Sequence, residues 1–236
     1  MADLKIIPRK HGNARGKDVH EQILRAAFKV WVEQGSNALT LWRIAEECGM
    51  KAGNLGYYFA SKNDLLRDLM ECITYTYEEL INEIRLDSRL GPEDQLAAFV
   101  ELALNDITSR ETTAIFPDLW AAATHDDFFQ DCLNDIYARS RKYLVSLVGT
   151  LNPALSLAEQ EVIALFMQAS MEGLTVFAGF NKPGSRSIEW LARATQQSFL
   201  GFIRNARPGE ISGEAAPGPS GIGGKRKKRP TLGTTS

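Results

Sequence analysis

Apolar residues recur at the spacing of an α-helix along most of the chain up to residue 206, and no segment alternates long enough to predict a strand. The segment from Lys17 to Gln34 is typical, because Ile23, Ala27 and Trp31 share one face and Gly35 follows the last turn. The pattern predicts an all-α protein of about nine helices.

Residues that commonly cap helices mark several of the predicted starts. Thr40 precedes a short apolar segment, Leu41 to Cys48, and Ser61 precedes the next long one. Between them, Ala52 to Tyr58 predicts a third short helix, and Gly49 falls in the turn that joins the two short helices. Two short helices joined by a tight turn predict a helix-turn-helix.

Charge is distributed unevenly along the chain. Residues 1–62 carry a net charge of +4, residues 63–206 carry −10, and residues 207–236 carry +4. A basic N-terminal unit on an acidic body is typical of a protein whose first part binds a polyanion. We therefore divide the chain into a flexible basic arm (1–16), a helix-turn-helix DNA-binding domain (17–66), an acidic helical domain (67–206) and a disordered basic tail (207–236).

The second short helix has the composition of a recognition helix, whose N-terminal residues read base edges in the major groove. Ala52 and Gly53 permit close approach of the backbone to DNA. Asn54 can pair with adenine through two hydrogen bonds. Tyr57 and Lys62 can reach phosphates, whereas the neighbouring large apolar side chains are expected to face inward.

In this region the sequence resembles the TetR family of bacterial transcriptional regulators over roughly residues 18–66. The matching residues are Thr40, Ile44, Ala45, Gly49, Met50, Lys51, Gly53, Leu55, Tyr58, Phe59, Ser61, Lys62 and Leu65. Gly56 departs from the family pattern, which often has Tyr there. The resemblance implies an N-terminal three-helix DNA-binding domain followed by an all-helical regulatory ligand-binding and dimerisation domain over residues 67–206.

Eight residues are candidate DNA contacts on the combined basis of residue type and resemblance. They are Thr40, Arg43, Lys51, Ala52, Gly53, Asn54, Tyr57 and Lys62. For Thr40 the alternative is a role purely as helix cap, and the two roles are compatible. For Arg43 the alternative is a solvated helix face.

In the C-terminal half, Glu172 interrupts an apolar helix. A carboxylate there reaches solvent, pairs across an interface or meets a ligand, and the simplest interpretation is packing. The segments "LWAAATHDDFF" and "ASMEGL" are similar to the C-terminal domain of BetI-type repressors, which suggests a cationic ligand held by Glu172 and an aromatic wall. The candidate ligand contacts are Phe116, Trp120, His125, Met167, Met171 and Glu172.

Other function classes have little support in the sequence. No nucleophile, zinc-protease or dinucleotide motif is present, which argues against an enzyme and against a cofactor. His125 followed by two aspartates is interpreted as a turn and helix cap rather than a metal site. The three cysteines lack CxxC spacing, which fits a reducing cytoplasm, and the most apolar segment, 162–180, is interrupted by Gln168 and Glu172, which argues against a membrane span.

These features predict a cytoplasmic homodimer that binds a near-palindromic operator in double-stranded DNA and is released from it by a small-molecule effector. The resemblance implies that the last two long helices, about 156–180 and 185–205, form the dimer in a four-helix arrangement. Two alternatives remain: a transcriptional activator of the same family, and a ligand-binding helical protein whose DNA binding is weak or lost.

Overall fold

The structure is a computed structural model that describes residues 4–8 and 14–211, apart from the side chains at positions 14 and 15. Over these residues the chain forms nine α-helices and two short 3-10 helices, with no strand, which confirms the predicted all-α fold. The α-helices are α1 (Ala14–Gln34), α2 (Leu41–Glu47), α3 (Ala52–Tyr58), α4 (Lys62–Leu86), α5 (Pro92–Ile107), α6 (Arg110–Ala123), α7 (Asp127–Leu151), α8 (Leu157–Ala178) and α9 (Ile188–Asn205). The 3-10 helices span Ser36–Ala38 and Pro183–Ser187.

The capping residues act as the sequence predicted. At the start of α2 the Thr40 hydroxyl accepts a hydrogen bond from the Arg43 backbone N–H at 3.1 Å. At the start of α4 the Ser61 hydroxyl accepts one from the Asp64 backbone N–H at 3.1 Å. Each bond satisfies a backbone donor that has no partner inside the helix, which fixes where the helix begins.

The N-terminal segment differs from the flexible arm expected over residues 1–16. Leu4 is buried, the Lys5 backbone N–H donates to Thr76 Oγ1 at 2.9 Å, and the Arg25 guanidinium donates to the Leu4 carbonyl at 3.2 Å. The expectation is corrected for residues 4–8, because an apolar anchor and these hydrogen bonds hold them along α1 and α4. Residues 1–3 and 9–13 lie outside the described residues, and α1 begins at Ala14 rather than Lys17.

At the other end, the chain continues to pack for several residues after α9. The Gly209 backbone N–H donates to Glu159 Oε1 at 2.6 Å, and Ile211 packs against the buried residues of the C-terminal half. The rest of the expected disordered tail, from residue 212 to 236, lies outside the described residues.

The N-terminal helices share a core with part of the C-terminal half. Trp31 of α1, Leu55 of α3 and Leu65 of α4 are fully buried in one cluster that also contains Phe116 of α6 and Ile136 of α7. The expected boundary at residues 66 and 67 falls inside α4, which runs unbroken to Leu86. The helices α4, α6 and α7 therefore connect the helix-turn-helix physically to the rest of the molecule.

A second core joins α5, α7, α8 and α9. Its fully buried side chains include Leu104, Val148, Met167 and Ile203. Among the described residues, α8 alone is long and apolar enough to cross a membrane by length and composition, a test that core helices of soluble proteins also pass. One face of α8 lies in this core, and the opposite face is exposed.

Candidate DNA-binding surface and ligand cavity

The turn between α2 and α3 depends on Gly49. Its φ of +67° lies in the left-handed region, where a side chain would be strained. The Met50 backbone N–H donates to the Ala45 carbonyl at 2.8 Å, which closes the end of α2 and directs the chain into α3. The predicted helix-turn-helix is thus formed by these two seven-residue helices.

The inner side of α3 is anchored by apolar residues. Leu55 is fully buried, Phe59 is nearly so, and Tyr58 is partly buried, in agreement with the inward orientation expected for them. The Phe59 ring stacks on His20 of α1 with 5.0 Å between ring centroids, and His20 Nε2 lies 3.1 Å from Asp68 Oδ2 of α4. These contacts hold α3 at a fixed orientation on α1 and α4.

The outer side of α3 carries the predicted recognition residues. Lys51, Ala52, Gly53 and Asn54 are all exposed, and Tyr57 is 85% exposed. These residues make a continuous polar, small-residue surface that no other part of the described chain covers.

Neither glycine in α3 is required by the fold. A Cβ atom at Gly53 or Gly56 would meet nothing within 4 Å. Glycine costs a helix interior about 1 kcal/mol relative to alanine. The absence of side chains at these two positions therefore leaves the backbone open to close approach from outside.

Three further predicted DNA contacts lie near α3 and have internal partners or partial burial. Thr40 is exposed but its hydroxyl caps α2. Arg43 lies 2.5 Å from Glu46 Oε2 through Nη1, and its Nε donates to the Gln34 side chain at 2.9 Å. Lys62 is the first residue of α4 and is partly buried.

One exposed aromatic residue beside this surface escaped the sequence analysis. Trp42 is 66% exposed on α2, next to Arg43. The buried residues of α2 are Ile44 and Ala45, so Trp42 is an apolar residue outside the buried face of a short helix. Trp42 was missed as a candidate DNA contact because an apolar residue in such a segment is ordinarily assigned to the core.

A cavity of about 100 Å³ lies within the bundle formed by α4 to α8. A single water needs roughly 10–15 Å³ of such space, so the cavity has room for a small organic molecule or several waters. Its walls are largely aliphatic and aromatic, and none of the lining side chains is Lys, Arg or His. The aromatic and acidic residues that line it are Tyr77, Phe99, Asp106, Phe116, Tyr137 and Glu172.

Asp106 of α5 is held at the cavity by two hydroxyl donors. Tyr77 Oη donates to Asp106 Oδ2 at 2.8 Å, and Thr112 Oγ1 donates to the same oxygen at 2.7 Å. Burial raises the pKa of Tyr77 well above its ordinary value, and the neighbouring Asp106 charge adds to that shift. The tyrosine therefore stays a hydrogen-bond donor at neutral pH.

Glu172 of α8 faces the same space. Burial raises the pKa of Glu172 to about 7, hydrogen bonding from Tyr137 opposes that shift, and the Asp106 charge adds to it. Trp120 Nε1 donates to Tyr137 Oη at 2.7 Å, which orients the tyrosine hydroxyl. Two carboxyl groups thus share a cavity that has no basic residue in its lining to balance them.

The structure brings together half of the predicted ligand contacts. Phe116, Met171 and Glu172 line the cavity. The other three are corrected. Trp120 lies behind Tyr137 because its indole N–H bonds that hydroxyl, Met167 is fully buried in the core, and His125 is exposed in the turn between α6 and α7.

The acidic and tyrosine residues at the cavity that sequence reasoning missed are Tyr77, Asp106 and Tyr137. Asp106 could have been found in the same way as Glu172, because it is a carboxylate among apolar residues near the end of α5. The two tyrosines gave none, because each lies in a long amphipathic helix whose facing partners the sequence does not reveal.

Two family models match the chain over the parts just described. Residues 23–69 match the model for bacterial regulatory proteins of the tetR family, and residues 92–200 match the model for the C-terminal domain of BetI-type transcriptional repressors. The chain belongs to the TetR family of transcriptional regulators. As a TetR-family protein it is a DNA-binding regulator, and the resemblance found in its helix-turn-helix is confirmed.

Characterised relatives agree with this assignment. The chain is 25% identical over 159 residues to the HTH-type transcriptional regulator PksA of Bacillus subtilis strain 168, covering 67% of this chain and 77% of PksA. It is 30% identical over 107 residues to the HTH-type transcriptional regulator BetI of Cronobacter sakazakii, covering 44% of this chain and 52% of BetI.

Solved structures with the same fold extend over most of the chain. A putative transcriptional regulator from Saccharomonospora viridis, solved in complex with choline, superposes with a TM-score of 0.63 at 19% identity. The superposition covers 80% of this chain and 96% of that one. At this level of identity the likeness establishes the TetR-family fold alone.

Proposed function

We propose that this TetR-family regulator is a homodimeric repressor that leaves a near-palindromic operator when an organic ammonium cation enters its cavity. The observation that carries the DNA-binding part is the exposed outer face of α3 on a helix fixed by Leu55 and Phe59. Asn54 reads a base, and Lys51, Tyr57 and Lys62 contact phosphates.

The dimer forms through α8 and α9. On the outer face of α8, Leu165 is 49% exposed and Phe177 is 71% exposed, and on α9 Trp190 is 63% exposed. Large apolar side chains clustered on one surface mark an interaction site in a soluble protein. A second copy of the chain covers this face, and the resulting two-fold axis places two recognition helices on two half-sites.

The effector is a cation because two carboxyl groups, and no Lys, Arg or His side chain, line the cavity. Glu172 and Asp106 attract an ammonium group, while the faces of Tyr77, Phe116 and Tyr137 stabilise it through cation–π contacts. The choline held by the Saccharomonospora viridis structure supports the same class of ligand. A DNA-bound regulator of this kind works in the cytoplasm.

The proposal is tested first by selecting bound duplexes from a random DNA pool at physiological salt. The wild-type protein is run beside Asn54→Ala and, as a matched control, Asn134→Ala on the exposed face of α7. We expect the wild type and the control to enrich one palindrome and Asn54→Ala to lose it. Failure of the wild type to enrich any sequence favours the alternative of a ligand-binding protein whose DNA binding is lost.

Whether the protein represses or activates transcription is tested with a reporter gene placed behind the selected palindrome. We expect expression to fall when the regulator is present and to recover when a trimethylammonium compound is added. A rise in expression caused by the regulator alone would instead assign it as an activator.

A further inference from the structure

A second groove lies beside the cavity, between α4 and α7. This outer groove has a volume of about 390 Å³ and is lined by Glu78, Ile81, Asn82, Arg85, Arg139, Lys142, Tyr143 and Ser146. Ile81 lines both the groove and the cavity. The ring of Tyr143 in the groove also packs on Phe99 of the cavity, with 5.7 Å between centroids. The wall between the two spaces is therefore one layer of side chains.

The groove contains basic side chains, which the cavity lacks. One of them, Arg139, has no positive charge to spare, because it pairs with the carboxylates of Glu71, Glu78 and Asp135. Arg85 donates to the neutral Asn82 side chain at 2.9 Å. Neither Arg85 nor Lys142 has a carboxylate within 4.0 Å among the residues that the structure describes. These two exposed cations are available to an anionic group.

Arg85 and Tyr143 line the same groove, and the Arg85 charge affects the Tyr143 hydroxyl. Tyr143 is 8% exposed, and burial raises the pKa of its hydroxyl, while the positive charge of Arg85 opposes that shift. Arg85 is exposed, and the Tyr143 hydroxyl already donates to Gln95 Oε1 at 3.5 Å. An anion in the groove would therefore meet the guanidinium as a donor.

The spacing of residues along α4 gives the distance from the cavity to Arg85. Tyr77, Ile81 and Arg85 follow one another at four-residue spacing on α4, and the first two line the cavity. At 1.5 Å per residue, Arg85 lies about 6 Å beyond Ile81 and about 12 Å beyond Tyr77 along the helix axis. A ligand that reaches from the cavity past Ile81 spans a comparable length.

We propose that the effector is an elongated zwitterion, with its ammonium group in the cavity between Glu172 and Asp106 and a carboxylate that extends past Ile81 to Arg85 and Lys142. This inference rests on the proposed function, because it extends the cationic ligand assigned there. It predicts a length requirement. A carboxylate close to the ammonium would stay beside Asp106 and Glu172 and be repelled, whereas a distant one would reach the groove.

The test is calorimetric titration of the full-length protein with two matched series of compounds. One series is alkyltrimethylammonium ions, and the other carries a terminal carboxylate on the same chain, with chains from short to long. At short lengths we expect the carboxylated compound to bind more weakly than its partner. Once the chain spans the distance to Arg85, we expect it to bind about tenfold more tightly, the scale of one or two charge-assisted hydrogen bonds.

Variants separate the groove from the cavity. The double variant Arg85→Gln/Lys142→Gln should lose the tenfold gain and keep the wild-type affinity for alkyltrimethylammonium, while the control Arg89→Gln, an exposed arginine beyond α4, should keep both. If the plain ammonium series binds and the carboxylate adds nothing at any length, the zwitterion is wrong and the cationic effector stands. If neither series binds, both assignments fail.

Discussion

The Asp118 carboxylate of α6 accepts a hydrogen bond from the Trp31 indole of α1 at 2.8 Å. The same carboxylate accepts hydrogen bonds from the backbone N–H and the hydroxyl of Ser36, in the 3-10 helix that leads to α2. Since α6 also lines the cavity through Phe116, one helix touches both the ligand site and the segment before the helix-turn-helix. A ligand that displaces α6 would move that segment with it.

We expect Asp118→Asn to weaken the effect of ligand on DNA binding. The amide keeps one acceptor oxygen but places a donor against the donors of Trp31 and Ser36. The free energy of unfolding should fall by about 1–3 kcal/mol, the range for a buried charged hydrogen bond. Thermal unfolding checks the stability, and titration of labelled operator with and without ligand checks the coupling.

The control is Asp131→Asn, which replaces an exposed carboxylate of α7 that has no hydrogen bond or ion pair among the described residues and should change neither quantity. A ligand-induced drop in DNA affinity that is the same in Asp118→Asn as in the wild type would show that the carboxylate does not transmit the signal.

We expect Trp42→Ala to weaken operator binding without changing its dependence on salt. The exposed indole of Trp42 lies beside Arg43 and carries no charge, so its contact with DNA releases no counterion. The loss should be about 1–2 kcal/mol, similar to one mismatched base pair. The measurement is the operator dissociation constant over a series of salt concentrations.

Lys51→Ala provides the contrast for that experiment, because loss of a phosphate contact should reduce the slope of log affinity against log salt by about 1. Identical affinities for Trp42→Ala and the wild type would exclude Trp42 from the DNA interface.

Local signals explain which parts of the fold were predictable from the sequence. The starts of α2, α3 and α4 followed from Thr40, Ser61 and the glycine turn, because capping acts over three or four residues. The inward positions of Leu55 and Phe59 followed from helical spacing. The docking of residues 4–8 was missed, since it depends on Thr76 and Arg25, which are distant in sequence.

The cavity was only half predictable for a related reason. A carboxylate in an apolar helix, such as Glu172, is visible in the sequence. Its partners come from α4, α5 and α7, and their register against α8 is decided by packing. Trp120 was expected in the wall, but its indole N–H needs an acceptor when buried and finds Tyr137, which takes the wall position instead.

We expect Phe177→Glu to convert a dimer into a monomer. Phe177 is 71% exposed in the single chain, so the substitution should leave the fold intact, whereas a buried carboxylate at a dimer interface is strongly unfavourable. Light scattering after size exclusion measures the mass, and circular dichroism checks the helix content. The control is Glu101→Lys, on the exposed face of α5, which should leave the mass unchanged. A Phe177→Glu protein that stays dimeric would argue against an interface through α8.

The affinity for an ammonium ligand should depend on pH through the ionisation of Glu172. Glu172 and Asp106 both line the cavity, where Tyr137 hydrogen-bonds Glu172 and Tyr77 hydrogen-bonds Asp106. Because the pKa of Glu172 is raised to about 7, the ligand-free protein holds this group largely protonated below that pH. An ammonium ligand binds the ionised form better, so its affinity should rise with pH up to about 7 and then level off. Ligand binding near pH 7 should release a proton, which calorimetry in two buffers of different ionisation enthalpy detects.

The stability of the ligand-free protein should fall as the pH rises, whereas its affinity for the ligand rises. Since the folded pKa of Glu172 lies above its ordinary value of 4.5, the folded state binds more protons between pH 4.5 and about 7, and its stability from this group is lost as the pH rises through that window. Glu172→Gln keeps a neutral side chain of the same shape, so it should raise the melting temperature above pH 7 relative to wild type and remove the pH dependence of ligand affinity. An unchanged pH profile in Glu172→Gln would show that a group other than Glu172 titrates.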